Sequence, residues 1–224
     1  PKDLPEIVAH RSRHLARYQN EALAARYRDL VDRVEAAEQL ANPGSTAIAT
    51  IVANNYAKVL AIKDEYEVAR LLTDPALRAE LDATFASGGR IAFNLAPPIF
   101  GGAGPGERPR KREFPAWIMM PALRVLSRGK AIRGSWIDPF ARTAERRDER
   151  RLAADYERLV ERMIPQLGEV DLEGVVKLLD RVREVRGFGP VKQGAMDRYF
   201  AEIGPAEARL APVASRARDV LTIE

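Results

Sequence analysis

The chain has 224 residues, of which 46% are hydrophobic and 30% are charged, and its formal net charge is +4. This length can close one sizeable core or two small ones. The absence of cysteine excludes disulfides, thiolate zinc sites, cysteine-held iron–sulfur clusters and cysteine nucleophiles within the chain. The sequence also lacks the long apolar run of a membrane helix and the apolar segment of a signal peptide, so we predict a cytoplasmic protein that does not enter a membrane.

The positive charge is concentrated in one segment. Residues 108–151 carry a net charge of +8, and the rest of the chain carries −4. A local positive field of this size predicts an anionic partner, which could be nucleic acid, a phosphorylated ligand or an acidic protein.

The N-terminal 40 residues are predicted to form one helix over residues 4–39. Pro5 suits a first helical turn, and apolar residues recur at helical spacing. We expect residues 1–40 to be a connecting helix from an upstream domain, since Pro1 stands where an initiator Met would be expected. The recurring apolar positions are Ile7, Leu15, Tyr18, Ala22, Ala25, Leu30 and Val34.

A second helix is predicted from a cap at Ser45 or Thr46 to about Leu72. A third begins at Thr73-Asp-Pro75, and its apolar residues are expected to face inward. These inward residues are Leu77, Leu81 and Phe85.

The middle of the chain is predicted to contain the only β structure. Alternating apolar residues favour a strand over residues 90–96, and residues 134–137 are a candidate second strand that pairs with it. Between them, residues 97–115 contain five Pro and four Gly, which predicts a long loop. A helix over residues 116–128 follows, with Pro121 inside it. One side of this helix is predicted to carry Trp117, Met120, Leu123 and Leu126.

The last third of the chain is again helical in pattern. Residues 143–166 form the clearest amphipathic helix, and Asp171 is placed to cap the next one. A Gly187–Pro190 turn then precedes a weaker helix to Gly204 and a last one to about Leu221. We therefore predict a mainly α fold, with residues 1–224 as a single multi-helix domain containing a small two-stranded β element. The buried stripe of the clearest helix is Leu152, Tyr156, Leu159, Met163 and Leu167.

Two groups of residues could support metal or acid–base chemistry. Glu6, His10 and His14 lie at i, i+4 spacing on one helix face, which could hold a divalent metal, although a solvated helix face is the simpler interpretation. Asp64 and Glu67 lie at i, i+3, but nothing in the sequence indicates an apolar pocket that would raise one pKa. The sequence also has two glycine clusters, one over residues 101–106 and one over residues 187–189. Neither matches a phosphate-binding loop pattern.

Two basic clusters are candidates for partner or anion docking. The first, Arg108, Arg110, Lys111 and Arg112, lies on the predicted loop, where a solvated charge run is the alternative and no known nucleic-acid module surrounds it. The second includes Arg146 and Arg147, which the neighbouring carboxylates could neutralise along the same helix.

Six strings occur in order along the chain and form a specific pattern together. They are Lys63-Asp-Glu-Tyr-Glu-Val-Ala-Arg70 with Leu71, Leu95-Ala-Pro-Pro98, Arg108-Pro-Arg-Lys-Arg-Glu-Phe114, Asp138-Pro-Phe140 followed by Thr143-Ala-Glu-Arg-Arg147, Ala154-Asp-Tyr-Glu157, and Arg186-Gly-Phe-Gly-Pro-Val-Lys192. These strings resemble the C-terminal region of the fused indolepyruvate ferredoxin oxidoreductases. The stretches Ala16-Arg-Tyr-Gln-Asn20 and Ala25-Arg-Tyr-Arg28 also resemble the helix that leads into that region.

The resemblance implies a parent enzyme that oxidatively decarboxylates aryl 2-oxoacids and reduces ferredoxin. Its implied cofactors are thiamine diphosphate with magnesium, iron–sulfur clusters and coenzyme A. This chain has no cysteine for a cluster and no Gly-Asp-Gly pattern for thiamine diphosphate, so no catalytic, cofactor-binding or metal-binding residue of the family can be assigned to it.

We therefore expect a non-catalytic accessory domain that packs on the catalytic domains of the parent, or on a second copy through the parent. Acidic ferredoxin is a further possible partner of the basic loop. The alternative is an independent module that binds nucleic acid, which is the less favoured ligand, or phosphorylated ligands through that loop.

Overall fold

The computed structural model describes residues 2–85, 92–95, 112–187 and 189–210, and within these ranges the fold is mainly α with one small antiparallel sheet. The chain divides into two compact units. Unit 1 comprises residues 1–62 and 141–224, and unit 2 comprises residues 63–140. The elements are α1 (Leu4–Tyr18), α2 (Glu21–Ala41), α3 (Ala47–Leu60), α4 (Glu65–Leu72), α5 (Pro75–Thr84), β1 (Ala92–Leu95), β2 (Arg112–Pro115), α6 (Ala116–Arg128), α7 (Ala144–Met163), α8 (Leu172–Asp180) and α9 (Pro190–Ala208).

The prediction of one helix over residues 4–39 is wrong, because the chain breaks between α1 and α2. Asn20 caps α2 by accepting a hydrogen bond from the Leu23 amide at 2.9 Å, so a new helix begins there. The break shifts the helical phase. As a result Ala24 and Tyr27 are buried, whereas the predicted Ala22 and Ala25 are exposed.

The second predicted helix is also two helices, α3 and α4. Asp64 caps α4 through a 2.8 Å hydrogen bond from the Glu67 amide, which starts a separate helix after residues 61–64. Thr46 is the N-cap residue of α3, but its side chain accepts no capping hydrogen bond. The predicted alternative, Ser45, accepts from the Ala47 amide through its Oγ at 3.3 Å, and the buried carboxylate of Glu38 accepts from the next two amides.

Unit 1 is built around α3, which packs against α1, α2, α7 and α8. The α3 sequence is apolar on most sides, as expected of a helix surrounded by others. Three tyrosines, one each on α2, α3 and α7, pack ring against ring. The rings of Tyr27 and Tyr56 are stacked with centroids 6.1 Å apart, and those of Tyr56 and Tyr156 are 6.4 Å apart. These aromatic contacts join three helices across the core.

The helical predictions for residues 143–187 are confirmed. Thr143 caps α7 and Asp171 caps α8, and the predicted stripe on α7 is buried. Gly189 has φ of +53°, a left-handed conformation that glycine adopts readily, and Pro190 opens α9 directly after it. The α9 helix continues through Gly204 to Ala208, past the predicted end. The last predicted helix lies outside the described residues.

Helices α2 and α7 are joined at the surface by a bidentate ion pair between Arg26 and Glu157. The Arg26 Nε donates to Glu157 Oε1 at 2.9 Å, and Arg26 Nη2 contacts the other carboxylate oxygen. Partial burial acts to raise the Glu157 pKa, but the hydrogen bonds from Arg26, the nearby Tyr56 hydroxyl and the attraction of Arg26 and Arg33 leave that pKa lowered overall.

We expect Arg26→Ala to destabilise the protein by about 1 kcal/mol or less at neutral pH, because the pair is half exposed. A lowered carboxylate pKa stabilises the fold above the unfolded pKa of about 4.3, and this stability is lost as the pH falls through the folded pKa. The difference from wild type should therefore shrink below about pH 4. Urea unfolding at neutral pH and below about pH 4 measures the difference in the free energy of unfolding, and Arg28→Ala on the same helix is the control. A difference that persists undiminished in acid contradicts the role of this pair.

Unit 2 contains the sheet, and here one prediction is confirmed and one is wrong. Strand β1 lies inside the predicted range, but its partner is β2, at the end of the predicted loop, with Phe93 opposite Phe114. Residues 134–137 instead form a turn, because Gly134 has φ of +73° and its amide donates to Asp138 Oδ2 at 2.7 Å. Proline at position 115 ends β2 and leads directly into α6.

Candidate docking surface

Unit 2 is held together by a polar network rather than by a large apolar core. Arg133 binds Asp64 through two nitrogens, and its Nη2 lies 2.9 Å from Asp64 Oδ1. The Tyr66 hydroxyl donates to Asp138 Oδ1 at 2.9 Å, and the Phe140 amide donates to the same oxygen at 3.0 Å. Burial and the hydrogen bond to Asp138 raise the Tyr66 pKa, so the phenol stays protonated. These contacts connect the start of α4 with the last residues of unit 2.

Close packing around Tyr66 completes this network. The Phe140 ring meets the Tyr66 ring edge to face, with centroids 5.4 Å apart. A Cβ atom placed on Gly129 would lie 2.5 Å from Tyr66 Cε1, which is too close for any other residue without a shift of the ring. The network therefore fixes the position of the turn that follows α6.

One face of α6 is apolar and exposed. Trp117 is 78% exposed and Val125 is 70% exposed, and Ile118 lies beside them on the same face. The four residues that were predicted to share one side of this helix differ in exposure: only Leu123 is buried, and Trp117 is exposed. Trp117, Pro121 and Val125 are spaced four residues apart, so a second apolar stripe was already visible in the sequence.

The exposed apolar side chains are unevenly distributed between the units. Among the described residues, only three apolar side chains of unit 2 are buried, namely Tyr66, Ala69 and Leu123. Unit 2 nevertheless holds seven of the nine large apolar side chains that are exposed in the described part of the chain. A soluble monomer rarely leaves so much apolar surface uncovered unless it contacts another molecule or domain. The seven are Leu71, Phe85, Trp117, Ile118, Val125, Trp136 and Ile137.

A cavity of about 420 Å³ lies beside this face, between α5, β1 and α6. Its apolar lining includes Leu77, Leu81 and Met120, and its charged lining is Asp74, Arg78, which pairs with Asp82 at 2.9 Å, and Arg124. Leu77 and Leu81 are half-buried, and Phe85, which was also predicted to face inward, is 63% exposed. Unit 2 thus offers a concave apolar surface next to cationic side chains.

The predicted docking residues are only partly within the described structure. Arg108, Arg110 and Lys111 lie outside the described residues, and Arg112 is placed in β2 by its backbone pairing with Leu95. The loop prediction thus fails for residues 112–115, because they pair with β1.

Arg146 and Arg147 occupy the first turns of α7. Arg146 is half-buried, and its Nη1 lies 2.6 Å from Oε2 of the buried Glu149. Lys192 from α9 binds the other oxygen of that carboxylate. Arg147 is exposed and donates to the Arg142 carbonyl at 3.3 Å. Arg146 therefore takes part in the internal pairing that the sequence offered as the alternative to docking.

The remaining candidates are the carboxylate pair on α4 and the set of acidic and histidine residues on α1. Asp64 is bound by Arg133, and Glu67 by Arg70 at 2.7 Å, so both carboxylates are buried in ion pairs. Glu6 and His10 are exposed on α1. No group of three or more potential metal-ligating side chains is found within the described ranges.

Within the described residues, two pairs of the strings that carry the resemblance contact each other. Arg26 and Tyr27, from one string, meet Glu157 and the Tyr56–Tyr156 stack in unit 1. In unit 2, Tyr66 from the α4 string contacts both Asp138 and Phe140 of another. Their residues make internal contacts within each unit.

Comparison with protein families gives one match. Residues 4–204 match the model described as "Family of unknown function (DUF6537)". No curated protein and no solved structure matches the chain. In the described part of the chain, every helix is too short or too polar to cross a membrane. Because the match covers nearly the whole chain, this protein belongs to the DUF6537 family.

Proposed function

We propose that this chain is the C-terminal helical accessory domain of an indolepyruvate ferredoxin oxidoreductase and that it docks on the catalytic domains of that enzyme through unit 2. The single observation that carries the docking role is the concentration of exposed apolar side chains on unit 2, around Trp117 and Val125 on α6. In this proposal the parent enzyme converts aryl 2-oxoacids to acyl-CoA and reduces ferredoxin. Thiamine diphosphate, magnesium, the iron–sulfur clusters and coenzyme A belong to its other domains.

The assignment to this parent rests on the resemblance of the ordered strings. They extend from residue 16 to residue 192, and the family match extends over residues 4–204. The internal contacts between strings support a folding role for the matching residues. These contacts explain why such residue types occur at these positions, and cofactor binding is not needed as a reason.

The docking role is supported by the chemistry of the exposed face. Tryptophan and other large apolar side chains contribute most when a contact excludes water around them. Arg124 and Arg128 are exposed on the same helix, so a partner surface with apolar residues and nearby carboxylates would complement it. The catalytic domains of the parent are the proposed partner.

The intact gene product that contains this chain tests the assignment. We expect it to be longer than this chain, to absorb visible light through iron–sulfur clusters, and to reduce ferredoxin when supplied with indolepyruvate and coenzyme A. A free-standing gene product without cluster absorbance contradicts the proposal. Salt-sensitive binding of that product to duplex DNA or phosphorylated ligands would favour the independent module instead.

The docking surface is tested by Trp117→Ser combined with Val125→Ser in the intact protein. The double substitution removes two apolar side chains from the proposed interface. We therefore expect limited proteolysis to release this domain at least about tenfold faster than it does from the wild-type protein. The control is Leu40→Ser, which changes a leucine that is 88% exposed in unit 1. Proteolysis unchanged by the double substitution, or accelerated equally by the control, would show that this face of α6 is not the docking surface.

A further inference from the structure

Unit 1 contains a cavity of about 550 Å³, and eight of the eleven residues that line it are polar or charged. It lies between α1, α3 and the chain that leaves the end of α8 through a 3₁₀ turn at Arg181–Glu184. This volume is within the range of about 300 to 1,000 Å³ found for small-molecule sites. Its polar and charged lining includes Arg11, His14, Asn54, Lys58, Asp180 and Arg183.

The charges around this cavity are unbalanced in favour of cations. Arg11, Lys58 and Arg183 are positive, and Asp180 is the one carboxylate in the lining. Asp180 is already engaged, since its Oδ1 accepts a hydrogen bond from Asn55 at 3.1 Å and its Oδ2 lies 3.7 Å from Arg183 Nη1. Within the described ranges, neither Arg11 nor Lys58 forms an ion pair with a carboxylate. Two cations thus remain to face an anionic ligand.

Arg11 is held in place by neighbouring side chains. Its Nη2 donates to Asn54 Oδ1 at 3.2 Å, and Asn54 Nδ2 donates in turn to the Thr50 carbonyl at 3.0 Å. The Nε of Arg11 is shielded from solvent and has no hydrogen-bond acceptor among the described residues. A shielded guanidinium donor without an acceptor is unfavourable, and a negative charge held in the adjacent cavity would stabilise the Arg11 cation through its field.

Lys58 approaches the cavity from α3. Its Nζ donates to the carbonyls of Val182 at 3.3 Å and Arg183 at 2.9 Å, so two of the three ammonium donors are used. Partial burial and the nearby charges of Lys192, Arg186 and Arg183 lower its pKa. An anion in the cavity would relieve this repulsion between cations.

We propose that this cavity, the unit 1 anion site, binds the phosphate group of a phosphorylated small molecule. A phosphate carries about two negative charges near neutral pH and offers several acceptor oxygens, which match the positive charge and the fixed donors of Arg11 and Lys58. A single carboxylate would neutralise only one of the two cations. The site does not depend on the docking role of unit 2, because all of its residues belong to unit 1.

Isothermal titration calorimetry with inorganic pyrophosphate tests the site in the intact protein at constant ionic strength. We expect saturable binding of one pyrophosphate, and about tenfold weaker binding for Lys58→Gln and for Arg11→Gln, because each removes one charge-assisted contact. Matched controls are Lys177→Gln, an exposed lysine of α8, and Arg13→Gln, an exposed arginine of α1. Binding to the controls should stay within about twofold of wild type.

Folding is checked by circular dichroism for each variant, since Lys58 also binds two carbonyl groups. If Lys58→Gln is unfolded, the comparison of Arg11→Gln with Arg13→Gln decides the question. Citrate in place of pyrophosphate separates recognition of phosphate from a general preference for anions, and binding of the two with equal affinity would overturn the choice of phosphate. The absence of saturable pyrophosphate binding at millimolar concentration, or equal weakening in the controls, would show that the cavity is not an anion site.

Discussion

Replacement of Leu159 by alanine is expected to destabilise the protein by about 2 to 5 kcal/mol. Leu159 is 1% exposed on α7 and lies in the unit 1 core with Tyr156, Met163 and the residues of α3. The change removes apolar contacts and leaves a cavity among side chains that can relax only in part. Urea unfolding followed by circular dichroism gives the free energy of unfolding.

Two controls show whether burial is the cause. Leu40→Ala makes the same chemical change at an 88% exposed position of α2 and should alter stability by about 0.5 kcal/mol or less. Arg150→Ala changes an exposed side chain of α7 that donates to the Ala141 carbonyl at 2.7 Å, and it should cost about 1 kcal/mol or less. Equal losses at Leu159 and Arg150 would mean that the buried and exposed sides of α7 are assigned incorrectly.

Replacement of Glu38 by alanine is expected to cost about 2 to 4 kcal/mol. The side chain is 1% exposed, and its Oε1 accepts hydrogen bonds from Ser45 Oγ at 2.6 Å and the Ile48 amide at 3.0 Å. Its Oε2 accepts from the Ala49 amide at 2.9 Å. Alanine would leave two buried amides of the first turn of α3 without acceptors and remove a negative charge from its N-terminus.

The matched control for Glu38 is Glu35→Ala, three residues earlier on α2. Glu35 is half-buried and makes no hydrogen bond or ion pair within the described residues, so its loss should cost about 0.5 kcal/mol or less. Glu38→Gln keeps one carbonyl acceptor and should cost less than alanine. Thermal unfolding of the three variants measures the order. A Glu38→Ala variant as stable as Glu35→Ala would show that another group caps α3.

The sequence was sufficient to predict the helical class and the helices whose limits are set by nearby residues. Thr143, Asp171 and Pro190 act within one turn of the helix that they begin, so their effect is visible in a short window of sequence. The stripe on α7 was correct for the same reason, because helical periodicity alone selects its buried face. The parent enzyme and its cofactors are still predictions that rest on resemblance.

The sequence was insufficient where two competing local signals had to be ranked. Asn20 and Asp64 are caps, but each is preceded by apolar residues that continue a helical spacing, so the breaks were missed. Strand β2 was missed because one proline and two charged residues conceal a four-residue strand whose partner is distant in the chain. Trp117 belongs to one of two apolar stripes on α6, and packing against α4 selects the other.

Only the tertiary structure brings together the residues of the proposed unit 1 anion site. Arg11, Lys58 and Arg183 lie on three separate elements, and no spacing in the sequence connects them. Glu38 likewise acts on the next helix through the turn after α2, where the predicted cap was Ser45 or Thr46. Helix periodicity and caps are local properties that the sequence determines by itself. Charged side chains that are far apart in the sequence lie close together only if the helices pack accordingly, because packing fixes which helix faces meet across the core.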